Sequence, residues 1–556
     1  MPEYLSPGVY VEEVDRGPKP IEGVGTAMAV FVGFTEKAQI NRRVDGEVVT
    51  EDLFAKPQLV TNWSQYVERY GDFVDGAYLP LSVYGYFQNG GTRCYVVSVK
   101  TIPKAQAVLM NGSGKPGLIV RAKQAGFDGT RLRVKVEGGN GAGGGAPAAS
   151  KKEGDAGKTS GGSSSASSGA GGGSPFTLTI ERERTSGGWG VSEVLREVSL
   201  TEIENGEGEK RVGIQFKGNK APDLVDILVA DESAPLATVW PRDQQQPLTI
   251  ESKLLSAATP SDFRGEVTAR TGIDGLEAID DITMVCIPDL MTTMPGKKLD
   301  LNAVKAVQTA VIAHCERLGD RVAILDTPPD MTPQEVKTWR MDTTGFDSSY
   351  AAMYYPWIEI SDPVSNKPLR VPPCGHVAGI WGRSDNTRGV HKAPANEVVL
   401  GATSLAYNVT KGEQDTLNPN GVNCIRAFPG MGIRVWGART LSSNPSWRYI
   451  NVRRLFNFVE KSIERGTQWI VFEPNEPRLW GRIRRDVGAF LRTVWSGGAL
   501  FGLTPDEAFY VKCDEELNPP ESRDLGRLII EIGMAPVKPA EFVIFRISQW
   551  QPGAEG

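Results

Sequence analysis

The stretch of sequence that decides the fold is residues 423–475, which read NCIRAFPGMGIRVWGARTLSSNPSWRYINVRRLFNFVEKSIERGTQWIVFEPN. Apolar runs around Ile425 and Val435 flank Pro429 and Gly430, a turn dipeptide, and this pattern predicts a strand pair. Residues 468–472 are again apolar and end before Pro474, which predicts a second strand at the end of the stretch.

The middle of this stretch has the spacing of an amphipathic helix. Its apolar face comprises Val452, Leu455, Phe456, Val459 and Ile463. Its other side, which we expect to face solvent, comprises Arg453, Arg454, Glu460, Lys461 and Glu464. Gly466 stands where a glycine just beyond a helix end is expected. The whole stretch therefore predicts a strand–helix–strand unit with α/β packing.

The same stretch resembles the C-terminal part of contractile tail sheath proteins, which form the outer sleeve of myophage tails and of contractile injection systems. The resemblance lies in residues 424–430, 435–440, 447–454, 466–469 and 472–475. Further agreement lies in residues 4–14, 30–35, 372–379, 387–390, 393–396 and 535–545. It covers residues 1–100 and 262–556, and covers the middle of the chain poorly.

The remaining sequence predicts a multi-domain protein of mixed α/β class. Strands alternate with helices over residues 276–371, which indicates a parallel or mixed sheet covered by helices. Here the resemblance implies a domain that looks like subtilisin in fold only. The expected divisions are an N-terminal arm strand (1–20), a first part of the core (21–100), an inserted mostly-β domain (101–260) with a disordered Gly/Ser loop (138–174), the subtilisin-like domain (261–420), a C-terminal core domain (421–535) and a C-terminal arm strand (536–556).

The resemblance implies a mechanical function. Subunits would form a homo-oligomer of stacked hexameric rings around an inner tube protein, with baseplate and tail-terminator or cap proteins at the ends. The two arm strands would complete the sheets of neighbouring subunits. The residues expected to exchange are Val9, Tyr10, Val11 and Glu12 in the first arm and Phe542, Val543, Ile544, Phe545 and Ile547 in the second. The alternative for the first arm is an edge strand paired within its own chain.

A second long helix follows the deciding stretch, and one side of it is basic. Leu479, Ile483, Val487, Phe490 and Val494 share its apolar face. Arg478, Arg482, Arg485 and Arg492 cluster opposite them. These arginines are either a solvated face or a contact to an acidic partner, here the inner tube, and the helix within residues 452–465 is the rival for the tube contact.

Composition excludes several other classes of protein. The formal net charge is −6, so a nucleic-acid partner is not indicated. The six scattered cysteines are typical of reduced, buried thiols, and the N-terminus lacks a signal-peptide pattern, so we expect synthesis and assembly in the cytoplasm. The particle would then either be retained in the cytoplasm or be released by lysis. No apolar run approaches the roughly 20 residues of a membrane span, so a membrane would be contacted only through the tube.

Signals of chemistry are weak, and we expect no enzyme, cofactor or metal. The glycines of residues 139–144 fit a dinucleotide pattern, but no helix follows them. Cys374 and His376 could share a metal, although a packing role for His376 is favoured. The rival interpretations are the sheath of a true virion, an α/β hydrolase-like enzyme, and a monomeric surface-binding protein that uses residues 101–260.

Overall fold

The structure is a computed structural model, and it describes residues 21–44, 47–138, 175–184, 186–204, 210–251 and 257–546. The exchange residues Val9, Tyr10, Val11, Glu12 and Ile547, the glycines of residues 139–144 and nearly all of the Gly/Ser loop lie outside these ranges.

Helices and strands alternate along most of the chain. The helices are α1 (Trp63–Tyr70), α2 (Leu79–Gln88), α3 (Pro260–Arg264), α4 (Leu301–Leu318), α5 (Pro333–Thr338), α6 (Cys374–Arg388), α7 (Lys411–Leu417), α8 (Ile450–Gly466), α9 (Pro477–Ser496), α10 (Pro505–Ala508) and α11 (Pro520–Asp524). The strands are β1 (Ala29–Thr35), β2 (Gln39–Val44), β3 (Glu47–Asp52), β4 (Gln58–Val60), β5 (Val74–Asp75), β6 (Cys94–Thr101), β7 (Gln106–Met110), β8 (Pro116–Ala122), β9 (Ala125–Gly126), β10 (Leu132–Glu137), β11 (Phe176–Glu183), β12 (Trp189–Glu204), β13 (Lys210–Gln215), β14 (Val225–Val229), β15 (Gln244–Pro247), β16 (Met284–Cys286), β17 (Val322–Asp326), β18 (Ala351–Tyr355), β19 (Ile358–Ser361), β20 (Pro368–Val371), β21 (Glu397–Val398), β22 (Ala402–Leu405), β23 (Val422–Phe428), β24 (Gly432–Val435), β25 (Phe509–Lys512) and β26 (Glu531–Met534).

A nine-stranded mixed sheet forms the centre, with the order β21-β24-β23-β18-β17-β16-β1-β6-β4. The strands from β6 to β23 run parallel, and β4, β24 and β21 pair antiparallel at the two edges. Alternate residues serve opposite faces, since Cys286 and Tyr354 pack towards α6 whereas Val285 and Met353 pack towards α4. Helices on both faces explain why the central strands are apolar throughout.

Helices α2 and α6 pack closely on one face of this sheet. A Cβ added at Gly375 on α6 would lie 2.4 Å from the Ser82 carbonyl oxygen on α2, so only glycine permits this approach. His376 lies against Gly85 of α2 and is buried, which confirms the predicted packing role of this histidine.

Residues 101–260 are mostly β, as the sequence predicts. A five-stranded sheet has the order β13-β12-β11-β10-β15, and a three-stranded sheet has the order β14-β8-β7. Buried residues of both sheets, such as Leu118 and Leu178, belong to the same apolar cluster as Val285 of the central sheet. The insertion therefore shares a hydrophobic core with the central sheet.

The C-terminal part packs α8 against α9 and carries the two-stranded ribbon β25–β26. The predicted strand pair before α8 is confirmed as the hairpin β23–β24. Both strands belong to the central sheet, so that sheet extends across the expected division at residue 420.

The predicted strand over residues 468–472 is wrong. Residues Gln468–Ile470 form a 3₁₀ turn instead. Both the backbone N–H and the hydroxyl of Thr467 donate to the carbonyl of Ile463, and these bonds continue the helical path of α8 into the turn. Gly466 is the last residue of α8 and does not lie beyond its end.

Two further sequence patterns in this part predict local structure that the protein does not form as predicted. Residues 504–507 have the pattern of a capping box, but Thr504 forms none, because the Glu507 carboxylate accepts from the backbone of Leu503 instead. Residues 528–532 have the apolar pattern of a strand, but the strand begins only at Glu531, because the Asn518 side chain bonds both backbone groups of Ile529.

Candidate assembly surfaces

The end of the described chain exposes four consecutive large apolar side chains. Phe542, Val543, Ile544 and Phe545 are 71%, 70%, 79% and 82% exposed. The sequence predicts a strand here, yet residues 542–546, the terminal segment, join no sheet within the described chain. Contiguous exposed apolar surface of this kind marks a contact with another molecule.

The terminal segment leaves from a fixed point at Glu541. Arg439 donates two hydrogen bonds to this carboxylate, at 2.8 and 2.7 Å. Asn418 donates a third at 2.7 Å, and the Tyr449 hydroxyl donates a fourth at 3.0 Å. Burial alone would raise the pKa of Glu541, but the hydrogen bonds from Arg439 and Asn418 outweigh it, so the pKa lies below its ordinary value. We call this group the Glu541 anchor.

Residues just before the Glu541 anchor are also tied down. Ala535 and Val537 donate backbone hydrogen bonds to Ala508 and Ala499, at 2.9 and 3.1 Å. The side chain of Asn451, at the start of α8, donates to the Val537 carbonyl at 3.2 Å. The chain is thus ordered up to Glu541, and the exposed apolar residues begin immediately after it.

The first described residues are fixed at the other end of α8. Ile21 is buried against Gly466, where a Cβ would come within 2.8 Å of it. The Val24 backbone donates to the Ser462 hydroxyl at 3.1 Å. At 1.5 Å per residue, about 17 Å of helix separates Asn451 from Ser462. A single helix therefore holds the points from which both chain ends depart.

The arginines of α8 that we expected on the solvent side are buried. Arg454 makes a bidentate pair with Asp385 of α6, at 2.9 and 2.5 Å, and stacks over Trp381. Arg453 stacks over Trp447 with its guanidinium carbon 4.3 Å from the ring centre. The expectation is wrong because Asp385 and Trp381, which bury Arg454, and Tyr350, over which Arg453 also stacks at 4.7 Å, come from distant parts of the sequence. These residues fasten α8 to the central domain.

The basic face of α9, by contrast, is open. Arg478, Arg482, Arg485 and Arg492 are all exposed. Arg482 stacks on Trp469 at 4.3 Å, and Arg485 lies 3.2 Å from Asp486. Arg478 and Arg492 have no ion-pair partner among the described residues. Arg453 and Arg454 of α8 are buried whereas these four arginines of α9 are exposed, so α9 has the more accessible basic face of the two candidate helices.

Groups capable of chemistry are buried, and Asp326, Cys374 and Cys286 lie together, since the Cys374 backbone donates to the Asp326 carboxylate at 2.9 Å and the Cys286 thiol donates to the Cys374 carbonyl at 3.8 Å. Within the described ranges, no three His, Cys, Asp or Glu side chains are placed to hold a metal, and all six cysteines are buried and unpaired. Burial lowers the pKa of His376 to about 4, and burial together with Arg321 lowers that of His314 to about 4. No helix of the described chain is both long and apolar enough to cross a membrane.

A cavity of about 270 Å³ lies between α8, the start of the chain and the central sheet. Two ion pairs cross its wall, Lys461 to Asp320 at 3.5 Å and Arg465 to Asp281 at 3.1 Å. Paired charges of this kind join α8 to the central domain.

Comparison with known families places two adjacent domain models on this chain. The phage tail sheath protein central domain matches residues 266–441, and the phage tail sheath C-terminal domain matches residues 442–549. Together they run without a gap over about half of the chain.

Individual relatives agree with these domain matches. The tail sheath protein of Salmonella phage ViI is 25% identical over 46% of this chain and 45% of its own length, so the chain spans less than half of that relative. The tail sheath protein of Escherichia phage P2 is 26% identical over 59% of this chain and 80% of its own length. Among solved structures, the sheath complex of the extracellular contractile injection system PVC, in its contracted state, is 20% identical and covers 99% of both chains with a TM-score of 0.54.

Proposed function

The chain belongs to the phage tail sheath family, and we propose that it is the subunit of a contractile sheath around the inner tube of a phage-tail-like injection system. Copies would form stacked hexameric rings, and contraction of the rings would drive the tube through a target envelope. The sheath of a true virion is the alternative within the same class, and it would use the same surfaces.

The observation that carries the proposal is the terminal segment on its anchor. Phe542 and Ile544 alternate with Val543 and Phe545, so an extended chain here would present apolar side chains on both faces. Such a strand needs a covered place in a sheet. The described chain offers no such place, so we assign the strand to a sheet of a neighbouring copy.

The ribbon β25–β26 is the receiving edge that we propose. It pairs Phe509 with Met534 through Lys512 with Glu531, and no further strand joins it in the described chain. A two-stranded ribbon is marginal alone and gains from added strands. Each main-chain hydrogen bond of an added strand contributes about 0.5–1.5 kcal/mol net. The arm of residues 9–12 would add to the same or an equivalent edge.

The basic face of α9 is the surface that we propose for the tube. Arg478 and Arg492 are exposed and lack ion-pair partners in the described ranges. Unpaired surface charge contributes mainly to orientation and rate of association, and a weak contact suits a tube that must slide. We propose no catalytic role and no cofactor for the subtilisin-like central domain, because a shared fold does not carry activity.

The remaining partners follow from this assignment. Baseplate and cap proteins would meet the end rings, nucleic acid would have no site, and a membrane would be reached only by the tube. We further propose assembly in the cytoplasm, with the particle either retained there or released by lysis.

The test is assembly of the full chain with and without its tube protein, viewed by negative-stain electron microscopy. The double variant Phe542→Ser, Ile544→Ser should form no cylinders, although its monomer stays folded. The double variant Arg478→Glu, Arg482→Glu should form empty cylinders but should not enclose the tube. The matched control is Lys298→Glu, Lys411→Glu at two exposed sites, which should change neither result. Cylinders that survive the serine substitutions would refute the strand exchange.

A further inference from the structure

The loop between α8 and α9 exposes two apolar side chains at its tip. Val471 is 64% exposed and Phe472 is 102% exposed, so the phenyl ring touches almost nothing in its own chain. Phe472 also has a φ of +70°, a conformation that a bulky side chain rarely adopts. Strain of this kind persists only where the surroundings impose it, and it is concentrated at functional sites. We call Val471 and Phe472 the tip patch.

The loop that carries the tip patch is held on both sides. The Asn475 side chain donates to the Arg527 carbonyl at 2.9 Å and accepts from the Trp480 indole at 2.7 Å. The Glu473 backbone donates to the Ile470 carbonyl at 3.0 Å. The backbone that carries Phe472 is therefore held in place while its ring stays exposed, a position suited to an anchor residue of an interface.

A second exposed apolar pair lies after the other end of α9. Phe501 is 74% exposed and Leu503 is 91% exposed, and we call these the end patch. Its backbone is held as well, since Phe501 donates to Ala535 at 2.7 Å and the Trp495 indole donates to Gly502 at 3.0 Å. Both patches are thus rigid apolar surfaces without a partner among the described residues.

The two patches lie beyond opposite ends of one helix and beside the two chain ends. The 20 residues of α9 span about 30 Å, so one chain cannot bring the patches together. The tip patch follows directly on the end of α8 that holds Ile21, and the end patch is hydrogen-bonded to the strand that leads to Glu541. If the chain ends run into neighbouring copies, each patch lies where a neighbour arrives.

We propose that the tip patch of one copy packs against the end patch of a neighbouring copy, a head-to-tail contact that rests on the proposed sheath assembly. A heterologous contact of this type generates rings or helical arrays. It gives the assembly a rigid apolar contact beside the exchanged strands.

The test is disulfide cross-linking in assembled cylinders of the full chain that carries Phe472→Cys and Leu503→Cys. All six native cysteines are buried, so the introduced thiols are the reactive ones. A disulfide needs Cα atoms within about 7 Å, so within one chain the separation across α9 forbids it. We expect a ladder of covalent dimers, trimers and higher species on oxidation. The matched control carries Phe472→Cys and Val191→Cys. Val191 lies on the insertion and is 63% exposed, so this variant should form cylinders without covalent dimers or higher species.

The other outcomes are informative as well. Cylinders without a ladder would overturn the inference and leave the sheath assignment intact. A cross-link from Phe472→Cys to the tube protein, with none between copies, would overturn it in favour of a tube contact. Failure of the unmodified chain to form any cylinder, with or without its tube protein, would count against the proposed function on which the inference rests.

Discussion

Replacing Glu541 with glutamine should release the C-terminal segment without unfolding the body of the protein. The substitution keeps the size of the side chain but removes the charge that Arg439 contacts twice, at 2.8 and 2.7 Å. Arg439 is 8% exposed, so its charge would stay largely buried with a weaker acceptor. Hydrogen bonds to charged groups contribute about 1.5–3 kcal/mol, and a loss of about 2 kcal/mol multiplies the open population by about 30.

Backbone hydrogen exchange measures this opening directly. The amides of Ala535 and Val537 bond to the body of the protein just before the anchor, so their exchange should rise by about 30-fold. Tyr449→Phe is the matched control, because it removes one neutral donor at 3.0 Å and should raise exchange by roughly fivefold. If hydrogen exchange at these two amides in Glu541→Gln stays within twofold of the rate in the unsubstituted protein, the proposed role of the Glu541 anchor is refuted.

Acid should release the same segment. The pKa of Glu541 in the folded protein lies below the unfolded value of about 4.3, so the anchor is fully stabilising above that pH and is lost as pH falls through the folded value. After correction for the intrinsic rate, exchange at Ala535 and Val537 should therefore rise only in acid. The glutamine variant should not show that rise.

Three further changes test how the bodies are held. Arg454→Met should destabilise the fold by about 3–5 kcal/mol in urea unfolding, because it leaves Asp385 buried and unpaired, and an added Asp385→Leu should recover much of the loss. Gly466→Ala should cost about 1–3 kcal/mol by urea midpoint, because the new methyl group would meet the start of the chain, whereas Gly488→Ala in open space should stabilise slightly. Burial raises the pKa of Asp326 to about 7, so stability contributed by this group falls as pH rises from about 4 towards 7, and the urea midpoint of Asp326→Asn should lose that dependence.

The elements that sequence predicts well are those whose signal is local. Helix α8 follows from the spacing of Val452, Leu455 and Val459, and the hairpin before it follows from Pro429 and Gly430. The pattern of residues 332–335 likewise predicts a capping box, and the structure forms it between Thr332 and Glu335, only three positions apart. Each depends on neighbours in sequence, so no knowledge of the tertiary structure is needed.

The failures arise where a distant residue decides. Arg454 has the position of a solvent-facing residue on a helical wheel, but Asp385 lies 69 positions away and draws it into the interior. The Glu541 anchor joins residues up to 123 positions apart, and no spacing rule finds it. A single glutamate before an apolar run is the only local signal there.

The terminal segment is a different case. Its sequence pattern predicts a buried strand, but no surface of the described chain buries these residues. Phe542 to Phe545 have the composition of a covered strand, and the structure leaves them exposed beyond an ordered anchor. We propose that a second molecule covers these residues, as strand exchange would. On that proposal the predicted strand forms only in the assembly.

A contracting sleeve requires subunit bodies that move as rigid units and chain ends that stay paired with neighbouring copies. Buried pairs such as Arg454 with Asp385 fix α8 to the central domain, so the domain moves as one piece. The chain ends leave from the two ends of that same helix, where main-chain hydrogen bonds to neighbours can persist while the bodies rotate. If those joints persist in both states, as the proposed strand exchange implies, contraction needs only that the compact packing of bodies have the lower free energy. On that proposal the energy is stored in assembly and its release requires no chemical step in the subunit.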